Sequence, residues 1–431
     1  MKYDVAIIGA GASGLAAARA LSGAGKRICI VEARERVGGR ISTLHFPDLP
    51  LPIELGAEFI HGDTASTFSI VDAAALAVAE LPDDHVWAEN GRLVKVPKFW
   101  NAIHRVTAKI DALKSDVSCA EYLRSRKDLD KRTKELARTF VESYHAAHVE
   151  RMSALALSSA DSEQEEDSGM RQFRIVNGQD ALIDWLRSGL DPRRTELRPG
   201  TVVSDVAWSR GSVTLTCSSS AASSSKPFPI HANAAVITIP IGVWKAPREQ
   251  QGAIRFDPAL PEKERAIEKL EAGHVVKIAF RFRERFWATE KDGPNFLHSS
   301  DRFVPTWWTT APVRSPILTA WAGGHGADAL LAEKEAMIDR VLDSMARAWN
   351  VPRRRIDALL VGAFTHDWQS DPFSRAAYSY AGVGGSHAHA ALAKPVKKTL
   401  FFAGEATSGD QTGTVAGAID SGFRAAKELL R

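Results

Sequence analysis

The chain of 431 residues, 45% hydrophobic and 25% charged, is long enough to bury two or three cores and is ordinary for a globular protein. A formal net charge of +3 excludes the strongly basic footprint of a nucleic-acid binder. Three cysteines (Cys29, Cys119 and Cys217) form no CxxC pair and no disulfide framework, and no apolar run reaches bilayer-spanning length.

Residues 5–8 are a short apolar run that reads as a buried parallel strand. It enters Gly9-x-Gly11-x-x-Gly14, and an Ala-rich helix is expected over about 12–24. In such a turn the first glycine permits the bend, the second admits a pyrophosphate, and the third lets helix and strand pack closely. The phosphate then meets the free N–H groups of the helix N-terminus, at Ser13 and its neighbours. A second strand over 27–31 ends at Glu32, eighteen residues after Gly14, where a carboxylate can accept hydrogen bonds from a ribose diol. Strand, glycines, helix, strand and acid in this order mark dinucleotide binding. Gly38-Gly39-Arg40 adds a flexible pair and a guanidinium, a second phosphate clamp that a nicotinamide site does not need.

Helical spacing recurs over 64–79, 100–114 and 131–145. Residues 158–168 hold five acids in eleven positions and read as a solvated loop, or as an acidic lip that draws in cationic amines. Strand periodicity returns over 197–240 at Val202, Val203, Val206 and 213–216, with a Ser/Ala-rich hairpin tip over 218–225. Strands are expected over 275–282 and 317–322, and a helix over 334–349. In the first of these, Val276, Ile278, Phe280 and Phe282 share one face. Lys277 lies on the other with Val275, Ala279 and Arg281, facing a cavity or water. The segment 399–431 reads as strand, glycine turn and helix.

From the glycine turn onward the sequence resembles the flavin-containing amine oxidases, a group that includes monoamine oxidases, polyamine oxidases and lysine-specific demethylases. The resemblance runs through Gly38-Gly39-Arg40, the blocks at 54–62, 236–244, 275–280 and 368–380, then 400–405 and 413–422, and so covers essentially the whole chain. It implies an α/β (α+β overall) architecture: a Rossmann-like FAD-binding domain and a discontinuous mixed α/β substrate-binding domain. The expected division gives 1–75, 191–245 and 366–431 to the first and 76–190 and 246–365 to the second. It also implies FAD, held by Gly9, Gly11, Ser13, Gly14, Glu32, Ala33, Arg34, Gly39, Arg40, Gly56, Ala57, Glu58, Val203, Gly404, Glu405, Thr414 and Val415. Glu405 would hold ribityl hydroxyls, and Val203 would present its backbone to adenine.

The same resemblance names catalytic candidates. A lysine at the place of Lys277 bridges through water to flavin N5, and His61 resembles the active-site histidine of many polyamine oxidases. Trp368 and Tyr378 fit an aromatic wall. The second cage tyrosine of monoamine oxidases is Thr414 here, and their flavin-linking cysteine is Ala377, so FAD is expected to be non-covalent. The implied reaction is hydride transfer from an amine α-carbon to flavin N5, iminium hydrolysis, and reoxidation by dioxygen with release of hydrogen peroxide. A polyamine is the first substrate expected, with monoamines and amino acids behind it, and Trp307-Trp308 and the 140–175 region are the variable pocket residues. Alternatives are a desaturase-like or protoporphyrinogen-oxidase-like enzyme and a non-enzymatic flavoprotein. A nicotinamide-dependent reductase would need a second fingerprint, and Gly323-Gly-His-Gly326 has the wrong spacing. No metal site, nucleic-acid partner or membrane partner is expected. A strand opening almost at Met1 and an amphipathic closing helix give the expectation of a soluble cytoplasmic protein.

Overall fold

The computed structural model describes residues 2–89, 91–96, 99–157, 171–220, 226–288 and 293–431. The acidic segment at 158–168 and the end of the hairpin at 221–225 lie outside these residues. No helix among the described residues is long and apolar enough to cross a membrane.

The apolar strand Lys2–Ile8 sits inside an eight-stranded sheet, paired in parallel with Ile28–Val31 on one side and Phe228–Ile237 on the other. Thr195–Arg198 continues the sheet beyond Ile28–Val31, and Leu400–Phe402 pairs in parallel with Phe228–Ile237. Ser212–Ser219 and Thr201–Ser209 extend it as an antiparallel meander, and Arg255–Asp257 closes the edge. The central strands carry apolar side chains on both faces because helices cover one side and a second apolar layer the other. On the helical side Leu15 and Leu21 of Ala12–Gly23 pack with Ile419 and Ala425 of Val415–Leu430 and with Leu182 and Leu186 of Asp180–Ser188. Opposite, Ile8, Val203, Trp208, Leu215 and Phe402 form the other layer. Cys29 is fully buried there as a small apolar side chain.

A second sheet of seven strands runs in the order Leu360–Thr365, Val275–Phe282, Ile317–Gly323, Thr306–Trp308, Phe296–His298, His85–Glu89 and Arg92–Lys95. Its outer face packs on Gly324–Ala332 and Met337–Trp349 through Phe280, Trp307, Leu330 and Met345. A helical layer of Phe99–Thr107, Cys119–Ser125 and Lys131–Thr139 shares a further core built on Phe140, Tyr122 and Val149. Ile60–His61, Gln172–Ile175 and Val78–Glu80 make a small sheet between the two larger ones in sequence.

Several expectations change. The helix expected over 64–79 ends at Ala73, because Ala75 turns to a φ of 49° and Val78–Glu80 pairs with Gln172–Ile175. The 100–114 pattern is a helix at Phe99–Thr107 followed by a 3-10 turn at Ile110–Ala112. That at 131–145 divides into an α-helix, Lys131–Thr139, and a π-helical turn, Phe140–Tyr144. The helix expected from 334 begins at Met337, after a 3-10 turn. Two elements assigned to the second domain belong with the first sheet: Asp180–Ser188 packs on its helices and Arg255–Asp257 pairs with its edge.

Lys263, in the helix Pro261–Glu268, is 2% exposed. Its ammonium donates to the carbonyls of Ala391 and Leu392, both at 2.9 Å, and of Lys394. These lie at the C-terminal end of Ala388–Ala393, where a helix leaves acceptors without internal partners. The cation also sits 4.3 Å from the Phe402 ring. Lys263→Met keeps the stem and removes the donors, so it is expected to cost about 2 kcal/mol through unpaired buried carbonyls. Urea unfolding of the holoprotein checks this; an unchanged midpoint would contradict it.

Candidate active site

One cavity of about 650 Å³ runs from the glycine turn at the first sheet to the inner face of the second. Every expected site residue lines it except Gly14. Gly14 serves packing instead: a Cβ there would stand 2.0 Å from the Gly9 carbonyl oxygen. Gly11 is the opposite case. A Cβ at Gly11 would meet only Gly39 Cα at 3.9 Å and Gly38 O at 4.0 Å, ordinary contact distances. The protein itself does not demand a bare position there, but a pyrophosphate approaching the backbone does. The residues present therefore fit a dinucleotide.

Around this turn the chain's own groups are tightly paired. Glu32 is 4% exposed; its Oε2 accepts from Ala10 N at 2.8 Å and its Oε1 from Arg34 N at 3.0 Å. Arg34 donates to Asp371 at 2.7 Å and Ser374 at 2.8 Å. Arg40 donates to the Ala377 carbonyl at 2.5 Å and to Glu405 at 3.1 Å. The other oxygen of Glu405 accepts from Ser379 Oγ at 2.7 Å. Thr414 is the N-cap of Val415–Leu430: its hydroxyl accepts from Gly417 N at 2.9 Å and donates to Gln411 O at 2.8 Å. Val203 is 4% exposed on Thr201–Ser209 and lines the same end.

Lys277 points into the cavity rather than to water and is 4% exposed. Its ammonium donates to Gly56 O at 2.9 Å and pairs with Glu58 Oε2 at 2.7 Å. Glu58 Oε1 accepts from Arg174 at 2.8 Å and from Trp308 Nε1 at 3.1 Å. Burial alone would raise the Glu58 carboxyl, but Lys277 and Arg174 outweigh it and hold the group down at about 2. Glu58 is thus an anchoring anion and no base. Trp368 donates from Nε1 to Leu55 O at 3.0 Å, which fixes the loop that presents Gly56.

Beyond Lys277 the wall turns aromatic and imidazole-rich. His61 lies with its Nδ1 3.3 Å from the Tyr144 hydroxyl, and Tyr378 donates to the Tyr144 carbonyl at 2.7 Å. The π-helical turn Phe140–Tyr144 aims Ser143 and Tyr144 inward, a use to which such turns are often put. His145, His85, His298, Phe59, Trp100, Phe296, Trp308 and Trp321 complete the lining. Burial lowers both His61 and His145 to about 4, and His145 Nε2 has no hydrogen-bond partner. His298 falls well below its ordinary value through burial and through His85, whose Nδ1 is 2.9 Å from its Nε2. Of the expected pair Trp307-Trp308 only Trp308 reaches the cavity; Trp307 is fully buried in the outer core, as strand alternation requires. Sequence reading put the 140–175 region in the pocket without singling out Tyr144, His145 or Arg174, and gave His85 and His298 no role.

The description "Flavin containing amine oxidoreductase" fits residues 12–430. Polyamine oxidase 4 of Oryza sativa subsp. japonica is 29% identical over 99% of this chain and 88% of its own length. Lysine-specific histone demethylase 1 homolog 2 of Arabidopsis thaliana is 28% identical over 99% of this chain, which spans only 58% of that protein. The fold matches that of wild-type putrescine oxidase bound to putrescine, with a TM-score of 0.80 at 23% identity, over 100% of this chain and 99% of the other.

Two outcomes follow from this geometry. Gly11→Ala should fold with an unchanged far-UV spectrum yet retain at least tenfold less FAD, whereas Gly14→Ala should lose folded protein; FAD content per soluble chain separates them. Equal FAD retention by Gly11→Ala and wild type would refute the reading of Gly11. The unfolded histidines take up protons below 6.5, but His61 and His145 in the folded chain do so only near 4. Stability should therefore fall as pH drops through that window, by about 1–3 kcal/mol per histidine. His145→Phe should flatten the decline in melting temperature measured across it.

Proposed function

This chain belongs to the flavin-containing amine oxidoreductases and has FAD as its cofactor, and on that premise we propose that it oxidises a polyamine. The observation that carries the amine-oxidase chemistry is the buried Lys277 ammonium in the cavity wall, flanked by Trp308 on one side and by His61 and Tyr378 toward the aromatic end. The similarity to polyamine oxidases over nearly the whole of both chains supports the substrate class. FAD, when bound, supplies the acceptor for a hydride from the amine α-carbon and passes the electrons to dioxygen as hydrogen peroxide. It is held without a covalent bond, since Ala377 stands where a linking cysteine would be needed.

The chain's own residues bind, orient and exclude water. His61, neutral at assay pH because burial lowers it to about 4, accepts a hydrogen bond from an amine N–H. The faces of Trp368 and Tyr378 guide the amine and offer a cation a weakly attractive wall. Lys277 keeps a fixed positive charge where negative charge develops, with Glu58 as its counter-ion.

One feature favours a second reading. Two of the carboxylates that line the cavity, Glu58 and Glu405, are already occupied, the first by Lys277 and Arg174 and the second by Arg40. A polyamine carries distal ammonium groups that such a wall does not neutralise, so an arylalkyl monoamine is the alternative substrate. Anaerobic titration of the holoprotein with polyamines, monoamines and amino acids decides between them by loss of oxidised-flavin absorbance. Bleaching by polyamines alone is expected; bleaching by arylalkyl monoamines alone selects the second reading, and no bleaching by any amine overturns both.

Lys277→Met tests the role of the ammonium. FAD should remain bound, and reoxidation of the reduced protein by air should slow about tenfold or more. Reoxidation at the wild-type rate would remove Lys277 from the mechanism.

A further inference from the structure

On the outer side of the segment that carries Tyr144 and His145, a second group of polar side chains gathers. His325 and Asp328 are three residues apart on Gly324–Ala332 and so share a face of that helix. His148, which follows the π-helical turn, places its Nε2 2.6 Å from Asp328 Oδ2. Nitrogen atoms of His148 and His325 and a carboxylate oxygen of Asp328 all lie within 4.8 Å of one another. The His148 and His325 rings stand 4.7 Å apart. We propose that His148, His325 and Asp328 form a binding site for a divalent transition-metal ion of the zinc class.

Two imidazoles and a carboxylate are a donor set that zinc and its neighbours accept, at about 2.0–2.2 Å per ligand. Ligand atoms on such an ion stand roughly 3.3–3.5 Å apart, from those bond lengths and a tetrahedral angle. Small side-chain rotations bring the three atoms into that range, and the short His148–Asp328 contact opens as the ion replaces its shared proton. The partners behind the ligands are also in place. His274 Nδ1 holds the other Asp328 oxygen at 2.7 Å, and Glu150 Oε2 holds His325 Nε2 at 2.8 Å. Outer contacts of this kind orient metal ligands and tune their basicity. Arg138, 3.3 Å from Glu150 Oε1, is the cation facing the group. Partial exposure of His325 and Asp328 leaves a path for the ion and room for water as a fourth ligand.

The site would tie three pieces of the cavity wall together from outside. His148 continues the turn that presents Tyr144 and His145, His274 precedes the strand of Lys277, and the helix bearing His325 follows Ile317–Gly323. A bound ion therefore restrains the turn without entering the cavity.

Equilibrium dialysis of tag-free, FAD-loaded protein against Zn²⁺, with metal and flavin counted per chain, tests it. One zinc per chain is expected for the wild type, with affinity at least tenfold weaker in His325→Ala and in Asp328→Asn at unchanged flavin content. His325 is exposed, so its replacement leaves the fold intact. Zinc should also slow amide exchange over residues 140–150 in the wild type and not in His325→Ala. Wild type that binds no zinc, or variants that bind it as tightly as the wild type, would overturn the proposal.

Discussion

The chain of buried charge from Lys277 through Glu58 to Arg174 is the constraint on which the cavity depends. All three side chains are at most 10% exposed, and a buried ion without a partner costs several kcal/mol. Each comes from a different part of the fold: Lys277 from the seven-stranded sheet, Arg174 from the small sheet, Glu58 from the loop leading into Ile60–His61. None can settle alone, so the packing of these pieces is coupled through one carboxylate. Trp308 Nε1 completes that carboxylate's partners and sets the ring that walls the cavity beside Lys277. With the buried Glu54 carboxyl, which burial raises to about 7, protonated below that pH, two cations against one anion leave the wall positive. A site in which negative charge develops on a bound cofactor gains from that excess, and the fold has already met its desolvation cost.

At the other end of the cavity, residues that serve the fold and residues that serve a ligand can be told apart by what surrounds them. Gly14 is glycine because the Gly9 carbonyl leaves no space for a side chain, whatever is bound. Gly11 faces open cavity, and its smallness is explained only by a ligand. The acids are intermediate. Glu32 and Glu405 each accept from chain donors at both oxygens, which fixes the turn and the strand end before any sugar arrives. A carboxylate has about four acceptor positions, so those bonds orient the group without exhausting it. Thr414 follows the same pattern: its hydroxyl is committed to capping the last helix, and what it contributes to the cavity is the position of that helix's N-terminus.

The parts legible in the sequence are those written in short-range pattern. The strand–glycine–helix–strand unit, the face of Lys277 and the closing helix depend on neighbours within about twenty residues, and they appear where expected. The helix signal at 64–79 failed in its second half because Val78–Glu80 finds its hydrogen bonds a hundred residues away, on Gln172–Ile175. Local propensity cannot register such a partner. The same applies to Arg174, whose importance comes from Glu58, and to the pair His85 and His298, which meet only through parallel pairing of their strands. The π-helical turn was hidden differently. Its residues keep an apolar spacing that a plain helix would also show, and the extra residue per turn emerges only in three dimensions.

The aromatic end has an electrostatic logic of its own. Its imidazoles are held neutral by burial, and the Tyr378 phenol is pushed up by burial with Tyr144 and Glu405, so it keeps its proton. These side chains thus offer hydrogen-bond donors and acceptors without charge, and the nearest formal charges are those of the Lys277–Glu58–Arg174 cluster and the Arg40–Glu405 pair. An ammonium group entering this space gives up water and approaches a like charge, while the neutral amine loses little and meets an acceptor at His61. The neutral amine is also the form whose nitrogen lone pair can support loss of a hydride from the adjacent carbon. On the proposed reading, selection of that protonation state needs no general base in the wall: the burial that lowers the histidines also favours the neutral amine, whose proton is left with bulk water.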